Sequence, residues 1–276
     1  MTMRHRQVNR QHTIRSGGTV KHKLQLFLAA ACLLISPLAK TEERPVRFQN
    51  SRYRVEFSSS YRNTFGFYGL RLGGYSLSGA WELRLSSHDG KACFLKKTNE
   101  YQAVQEGDNL LLSASRELTG NGEDGEILAK VEQKLLFTPE KITVSFLIIP
   151  ERDIPVNRHA KYLFSVYNGS DLKEYLGKTL EAWLPDNTVK SFVVKRGEKV
   201  DRASWMHRDM FTQVRIVGQD GSLFFVAGEG SLFRINYYGS GIEFYAVLPS
   251  NNPDSRPLSL QKGHQYLLAY SILLQP

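Results

Sequence analysis

Hydrophobic and polar residues alternate with a period of two along most of the chain after residue 43. The alternation is clear from Tyr53 to Phe57 and again from Trp81 to Leu85, and it predicts strands with one buried face. Asp-Gly pairs, which favour two-residue hairpin turns, stand at Asp89-Gly90 and Asp220-Gly221. About fourteen strands, with turn signals roughly every 8–15 residues, predict an all-β fold: a large antiparallel β-sandwich with minimal helix.

Signals for other architectures are few. Residues 170–177 carry a capping residue and a terminal glycine, which predicts one or two helical turns. The chain shows no alternation of strands with helices, and this excludes a parallel α/β sheet. It also shows no convincing linker, so we expect a single β-sandwich domain over residues 40–276 behind a leader over residues 1–39.

The leader has the layout of a secretory signal peptide. A basic flank at Lys21–Lys23 precedes the apolar core Leu26–Ile35, and Ser36–Ala39 follows it. The core is shorter than the roughly twenty residues of a membrane-spanning helix. We therefore expect cleavage after Ala39 and export from a bacterial cytoplasm to the periplasm, the cell surface or the medium. No stable membrane span would remain, and the alternative is a retained N-terminal anchor.

The net charge bears on the choice of partner, and the cysteine content bears on disulfides. The net charge is +9, but six of the 36 basic residues lie in the leader, which has no acidic residue. The remainder is nearly balanced, so we expect no nucleic-acid partner. Of the two cysteines, Cys32 lies in the leader and leaves only Cys93, which excludes an internal disulfide. No cofactor and no metal site is expected, and neither a phosphate-binding loop nor a GxSxG motif is present.

Residues 153–211 concentrate side chains that suit a sugar. Tryptophan offers a flat apolar face, histidine titrates near neutrality, and arginine presents several donors. The candidate binding residues are Trp205, Arg208, Asp209, Arg158 and Trp183, and the candidate proton-transfer residues are His159 and His207. The alternative is structural: Trp205 would pin a loop to the core while Arg208 and Asp209 form a surface pair.

A second cluster lies near the C-terminus, where Tyr238, Glu243 and Tyr245 follow one another closely. Strand alternation should expose some of these rings on one sheet face, where they would line a saccharide groove. Glu243 is the candidate acid–base group beside them. The alternative is that the rings form ordinary cross-strand pairs.

The order of elements resembles that of the galactose mutarotase-like β-supersandwich superfamily over residues 44–276. The resemblance rests on the layout, with GLRLGG at 69–74 early in the chain and LQKGHQY at 260–266 before the last strand. It implies a sugar ligand, with a histidine as acid and a late glutamate as base. The segment 157–164 loosely matches the histidine motif and would supply His159, while Glu243 or Glu229 would supply the base by position.

Two functions follow as hypotheses. The first is an exported envelope or secreted protein that binds or processes carbohydrate, and whether it is an enzyme stays open. The second is a non-catalytic structural or assembly protein of the cell surface that acts through protein–protein contacts.

Overall fold

The computed structural model describes residues 46–57, 65–86, 93–96, 100–120, 125–195, 204–219, 221–238, 241–250 and 258–275. The predicted leader and the Asp89-Gly90 turn lie outside these residues. The second predicted hairpin is present, but Gly218 pairs with Gly221 across it, so Gly221 lies in the strand pairing and not in the two-residue turn that the sequence predicts.

Nineteen strands occur among the described residues, where the sequence pattern predicts about fourteen; five of the nineteen are only three or four residues long. The first ten are β1 (Val46–Gln49), β2 (Arg54–Phe57), β3 (Phe67–Leu72), β4 (Tyr75–Leu85), β5 (Cys93–Leu95), β6 (Gln102–Glu106), β7 (Asn109–Gly120), β8 (Ile127–Phe137), β9 (Ile142–Pro150) and β10 (Ile154–Val156). The others are β11 (Tyr162–Asp171), β12 (Thr179–Trp183), β13 (Val189–Val193), β14 (Gln213–Gly218), β15 (Gly221–Ala227), β16 (Leu232–Tyr238), β17 (Gly241–Pro249), β18 (Leu258–Leu260) and β19 (Tyr266–Gln275).

The strands form two large antiparallel sheets and one small one. The smaller of the two has seven strands in the order β1-β2-β3-β4-β11-β17-β16. The larger has ten, in the order β13-β12-β14-β15-β19-β9-β8-β7-β5, with β6 also paired to β7. Strands β10 and β18 form a separate pair. The predicted all-β antiparallel sandwich is therefore confirmed.

Alternating side chains from both sheets form the core. In β9, for example, Ile142, Val144 and Phe146 are fully buried, while the residues between them are partly exposed. The sheets meet directly where Phe225 of β15 stacks on Phe244 of β17, with ring centroids 4.5 Å apart. Burial of one face of each sheet is the main source of stability.

Helical structure is limited to two short segments of the described chain. A 3₁₀ turn over Leu172–Glu174 falls where the sequence predicts helical turns. The segment Trp205–Arg208, predicted as a loop, forms one α-helical turn, α1. No helix among the described residues is long and apolar enough to cross a bilayer.

Substitution of two neighbouring phenylalanines tests which face of β15 packs against the core. Phe225 is fully buried, whereas Phe224 is partly exposed and lies 5.4 Å from the Arg215 guanidinium. Phe225→Ala should lower the free energy of unfolding by about 3–5 kcal/mol, because it leaves a cavity between the sheets. Phe224→Ala should cost less than about half of that. Urea denaturation of both variants checks the difference, and equal losses would contradict this assignment of faces.

Candidate functional site

Four aromatic side chains form a row across the seven-stranded sheet, and we call them the aromatic row. They are Tyr68, Trp81, Tyr167 and Tyr245, on the adjacent strands β3, β4, β11 and β17. All four are partly exposed. Tyr245 alternates with the fully buried Phe244 and Ala246. The row therefore lies on the outer face of this sheet, away from the core.

The rings contact one another in sequence from strand to strand. Tyr68 stacks on Trp81 with centroids 4.9 Å apart and planes at 21°. Tyr167 meets Trp81 at 5.3 Å and Tyr245 at 5.6 Å, both in edge-to-face geometry. These are favourable aromatic arrangements. They give the outer face a continuous apolar strip longer than one sugar ring.

A bulge in β4 accompanies the outward placement of Trp81. Along β11, Val166 pairs with Leu83, but Asn168 pairs with Gly79. Three residues of β4, including Ala80 and Trp81, therefore lie opposite the single residue Tyr167. Ala80 has a φ of 63°, a left-handed conformation that is unusual outside glycine. Bulges of this kind re-aim side chains.

Two glycines leave room for the rings. A Cβ on Gly66 would lie 2.6 Å from the Cβ of Trp81 and 2.8 Å from the carbonyl oxygen of Gly79. A Cβ on Gly169 would overlap the hydroxyl end of the Tyr167 ring. A methyl group on Gly66 would therefore meet backbone atoms, whereas a methyl group on Gly169 would meet only the end of the Tyr167 side chain.

Charged groups border the row near its β17 end. Tyr245 donates a hydrogen bond from its hydroxyl to the Glu243 carboxylate at 2.9 Å. Arg84 donates to Glu82 at 2.8 Å. Partial burial alone would lower the pKa of Arg84. The Glu82 hydrogen bond and charge, with Tyr245 and Glu243 nearby, raise that pKa above its ordinary value instead.

The predicted C-terminal cluster thus has two of its members at the row, since Glu243 and Tyr245 lie on the outer face of β17. Glu243 faces Gly169 of β11 in register. Tyr238 is in β16, and its side chain lies outside the described part of the structure. The alternative of cross-strand ring pairs also describes Tyr245, because it contacts Tyr167.

The predicted residues of α1 lie at the edge of the same sheet, where α1 packs on β16. Trp205 is half-buried and meets Phe211 edge-to-face at 5.7 Å. Asp209 pairs with Lys190 at 2.6 Å. His207 has its Nε2 buried without a hydrogen-bond partner among the described residues, and Arg208 is exposed.

The remaining predicted residues are Arg158, His159 and Trp183. The first two are exposed on the turn before β11, where the Arg158 Nε donates to the His159 Nε2 at 3.1 Å. Lys161, just beyond this turn, donates to the Arg208 carbonyl at 3.5 Å. The turn and α1 therefore lie at one end of the sheet. Trp183 is half-buried at the end of β12 in the larger sheet.

One arginine lies between this cluster and the row. Arg234 of β16 is opposite Tyr245 in register. Its Nη1 lies 3.4 Å from the Tyr162 hydroxyl, which follows the His159 turn. The structure thus places the predicted histidines beside the sheet edge and the row on its centre.

Sequence reasoning missed Tyr68, Trp81 and Tyr167. Trp81 shares its alternation with Leu83 and Leu85, which predicts a common face, but the bulge at Ala80 breaks that pattern. The consecutive small residues Gly79 and Ala80 were the only local signal of a bulge in β4.

No group of three or more His, Cys, Asp or Glu side chains among the described residues is arranged to hold a metal ion. The groups present at the row are aromatic faces, carboxylates, hydroxyls and a guanidinium group.

Comparison with known proteins finds likeness in structure. No protein-family model matches the sequence, and no curated protein matches it in sequence. The Slr1438 protein of Synechocystis sp. PCC 6803 aligns with a TM-score of 0.51 and 8% identity, covering 88% of this chain and 98% of its own. A galactose mutarotase-like protein of Lactobacillus casei aligns with a TM-score of 0.48 and 9% identity, covering 84% and 100%. At these identities the likeness concerns the fold alone, and the layout shared with the Slr1438 protein agrees with the predicted β-sandwich.

The two glycines beside the row should respond differently to an added methyl group. Gly66→Ala should lower the free energy of unfolding by about 1–3 kcal/mol, because the methyl group meets backbone atoms that cannot move freely. Gly169→Ala should cost less than about 1 kcal/mol, because the Tyr167 ring can swing aside. Thermal denaturation of both variants measures the difference, and equal losses would show that the Tyr167 ring is held rigidly.

Proposed function

We propose that this chain is an exported protein that binds carbohydrate on the aromatic row of its seven-stranded sheet. The observation that carries the proposal is the juxtaposition of four contacting rings with Glu243, Glu82 and Arg84. Since the solved structures similar to this chain share only its fold, the proposal rests on the residues of this face.

The chemistry of the face suits a saccharide better than a purely apolar ligand. The C–H faces of a pyranose ring pack on aromatic rings, while its hydroxyls need donors and acceptors placed around them. Carboxylates accept hydrogen bonds from hydroxyls, and a guanidinium donates to them. Because the rings extend over four strands, about 14 Å at ordinary strand spacing, an oligosaccharide fits the row better than a single sugar.

Glu243 is the group we propose for any proton transfer to or from the bound sugar. It lies beside Tyr245, which donates to its carboxylate. A carboxylate held at the edge of a saccharide-binding strip is in a position to act as a general base. Processing of the sugar would then depend on Glu243, whereas binding would depend mainly on the rings.

Trp81→Ala should weaken oligosaccharide binding by about 1–3 kcal/mol, roughly 5- to 150-fold in Kd, because the largest ring of the strip is lost. The measurement is isothermal titration calorimetry against neutral hexasaccharides of β-1,4-linked glucose and of β-1,4-linked galactose. Glu243→Gln should change Kd little and abolish any acceleration of mutarotation above the spontaneous rate of the free reducing sugar.

Trp205→Ala is the matched control, since it removes a second half-buried tryptophan from the predicted cluster at α1. Loss of binding in Trp205→Ala with normal binding in Trp81→Ala would move the site from the row to α1.

If no saccharide binds and the protein self-associates with increasing concentration, the assembly hypothesis replaces the carbohydrate-binding proposal. The edge strand β13 favours that hypothesis, because Val189 and Val193 are 49% and 44% exposed on it.

Export is the second part of the proposal and rests on the basic flank and short apolar core of the leader. When the full chain is expressed in a Gram-negative host, it should yield a periplasmic or secreted product. The intact mass of that product should correspond to a chain that begins at Lys40. Leu28→Arg should block this processing, because a charge in the apolar core opposes insertion. Recovery of the protein with residues 1–39 attached would contradict cleavage.

A further inference from the structure

A polar network is buried between the two sheets behind the aromatic row. Gln133 of β8 is fully buried, and Arg116 of β7 is 3% exposed. The Gln133 Nε2 donates to the carbonyl of Phe65 at 3.0 Å and also to the carbonyl of Ala80. The Gln133 amide therefore joins the larger sheet to the bulge of β4 and to Phe65, two residues before β3 begins.

Arg116 holds the other end of the Gln133 amide. Its Nη1 donates to the Gln133 Oε1 at 2.8 Å. Its Nε and Nη2 donate to the Lys96 carbonyl at 3.1 and 2.7 Å. Burial lowers the pKa of Arg116 to about 9, which leaves the guanidinium charged at neutral pH. A cation on the amide oxygen polarises the amide and strengthens its N–H donors.

The carbonyl that Gln133 holds belongs to the strained residue of the bulge. Ala80 is left-handed, a conformation that persists in a non-glycine residue only when the surroundings enforce it. Ala80 directly precedes Trp81, so the peptide plane that Gln133 holds also sets the direction of the Trp81 side chain.

We propose that Gln133, oriented by Arg116, is a positioning residue that holds the left-handed bulge at Ala80 and so presents Trp81 to the aromatic row. The inference deepens the proposed function, because it names the buried group on which the geometry of the binding strip depends. It also predicts a behaviour of Trp81 that can be measured without any ligand.

The test uses Trp81 as the sole tryptophan, in a background carrying Trp183→Phe and Trp205→Phe. Gln133→Glu keeps the size of the side chain and its contact with Arg116 but removes both N–H donors. Acrylamide quenching of Trp81 should then change by about twofold, with a shift of the emission maximum. In the chain with all its tryptophans, the affinity for β-1,4-linked hexasaccharides should fall about tenfold.

Rescue separates positioning from general destabilisation. Ala80→Gly removes the need to enforce a left-handed alanine, so Ala80→Gly in the Gln133→Glu chain should restore the quenching of Trp81. Leu135→Ala, at a fully buried position two residues along β8, should lower the melting temperature, leave Trp81 quenching unchanged and show no rescue. If Gln133→Glu fails to fold, Gln133→Met removes the donors without a second buried charge and carries the same test.

Unchanged Trp81 quenching in a folded Gln133 variant, or a change that Ala80→Gly does not reverse, would overturn the inference. A rescued Trp81 signal in a protein that binds no hexasaccharide would support the positioning role and reject the carbohydrate-binding proposal instead. The two failures are therefore distinguishable.

Discussion

Apolar side chains buried between the two antiparallel sheets hold this molecule together. The stacked pair Phe225 and Phe244 joins the sheets directly. Because side chains alternate along a strand, every inward residue that builds the core leaves its neighbours on an outer face. The outer face of the seven-stranded sheet can therefore carry aromatic and charged residues without weakening the contact that holds the sheets together.

Polar groups inside the sandwich must be satisfied, and each one adds a geometric restraint. Tyr270 of the larger sheet donates to the Asn168 side chain of the smaller sheet at 2.7 Å. Gln133 likewise donates hydrogen bonds to the carbonyls of Phe65 and Ala80. Hydrogen bonds of this kind are directional, whereas apolar packing is not. They restrict how one sheet slides over the other, and through Ala80 they connect the core to the outer face.

Two groups of residues in the structure have the chemistry of a sugar site. They differ in the other contacts that their side chains make. The side chains of α1 and its neighbours are engaged in local packing, such as Trp205 on Phe211 and Lys190 on Asp209. The aromatic row instead lies on an outer face beside carboxylates and a guanidinium. Arg234, opposite Tyr245, lies between the two groups.

The sequence alone determined the features that depend on local periodicity. Alternation of period two predicts the strands, the two-layer class and the shared outward side of Glu243 and Tyr245, because side-chain direction is set within each strand. The hairpin of β14 and β15 is local in the same sense, because an Asp-Gly pair signals a tight turn, although Gly221 itself pairs with Gly218 in the ladder.

For strands that are distant in the chain, the pairing was set by tertiary structure. Trp81 and Tyr167 are far apart in the chain, and they meet because β4 pairs with β11 through backbone hydrogen bonds that leave no pattern in the side chains. The bulge at Ala80 is also non-local. The register of β4 against β11 shifts by two residues there, so Leu77 and Leu83 both face the core while Trp81 between them faces outward. The bulge is hydrogen-bonded to a glutamine from the opposite sheet. The aromatic row therefore exists only in the folded molecule, because its register depends on contacts between distant segments.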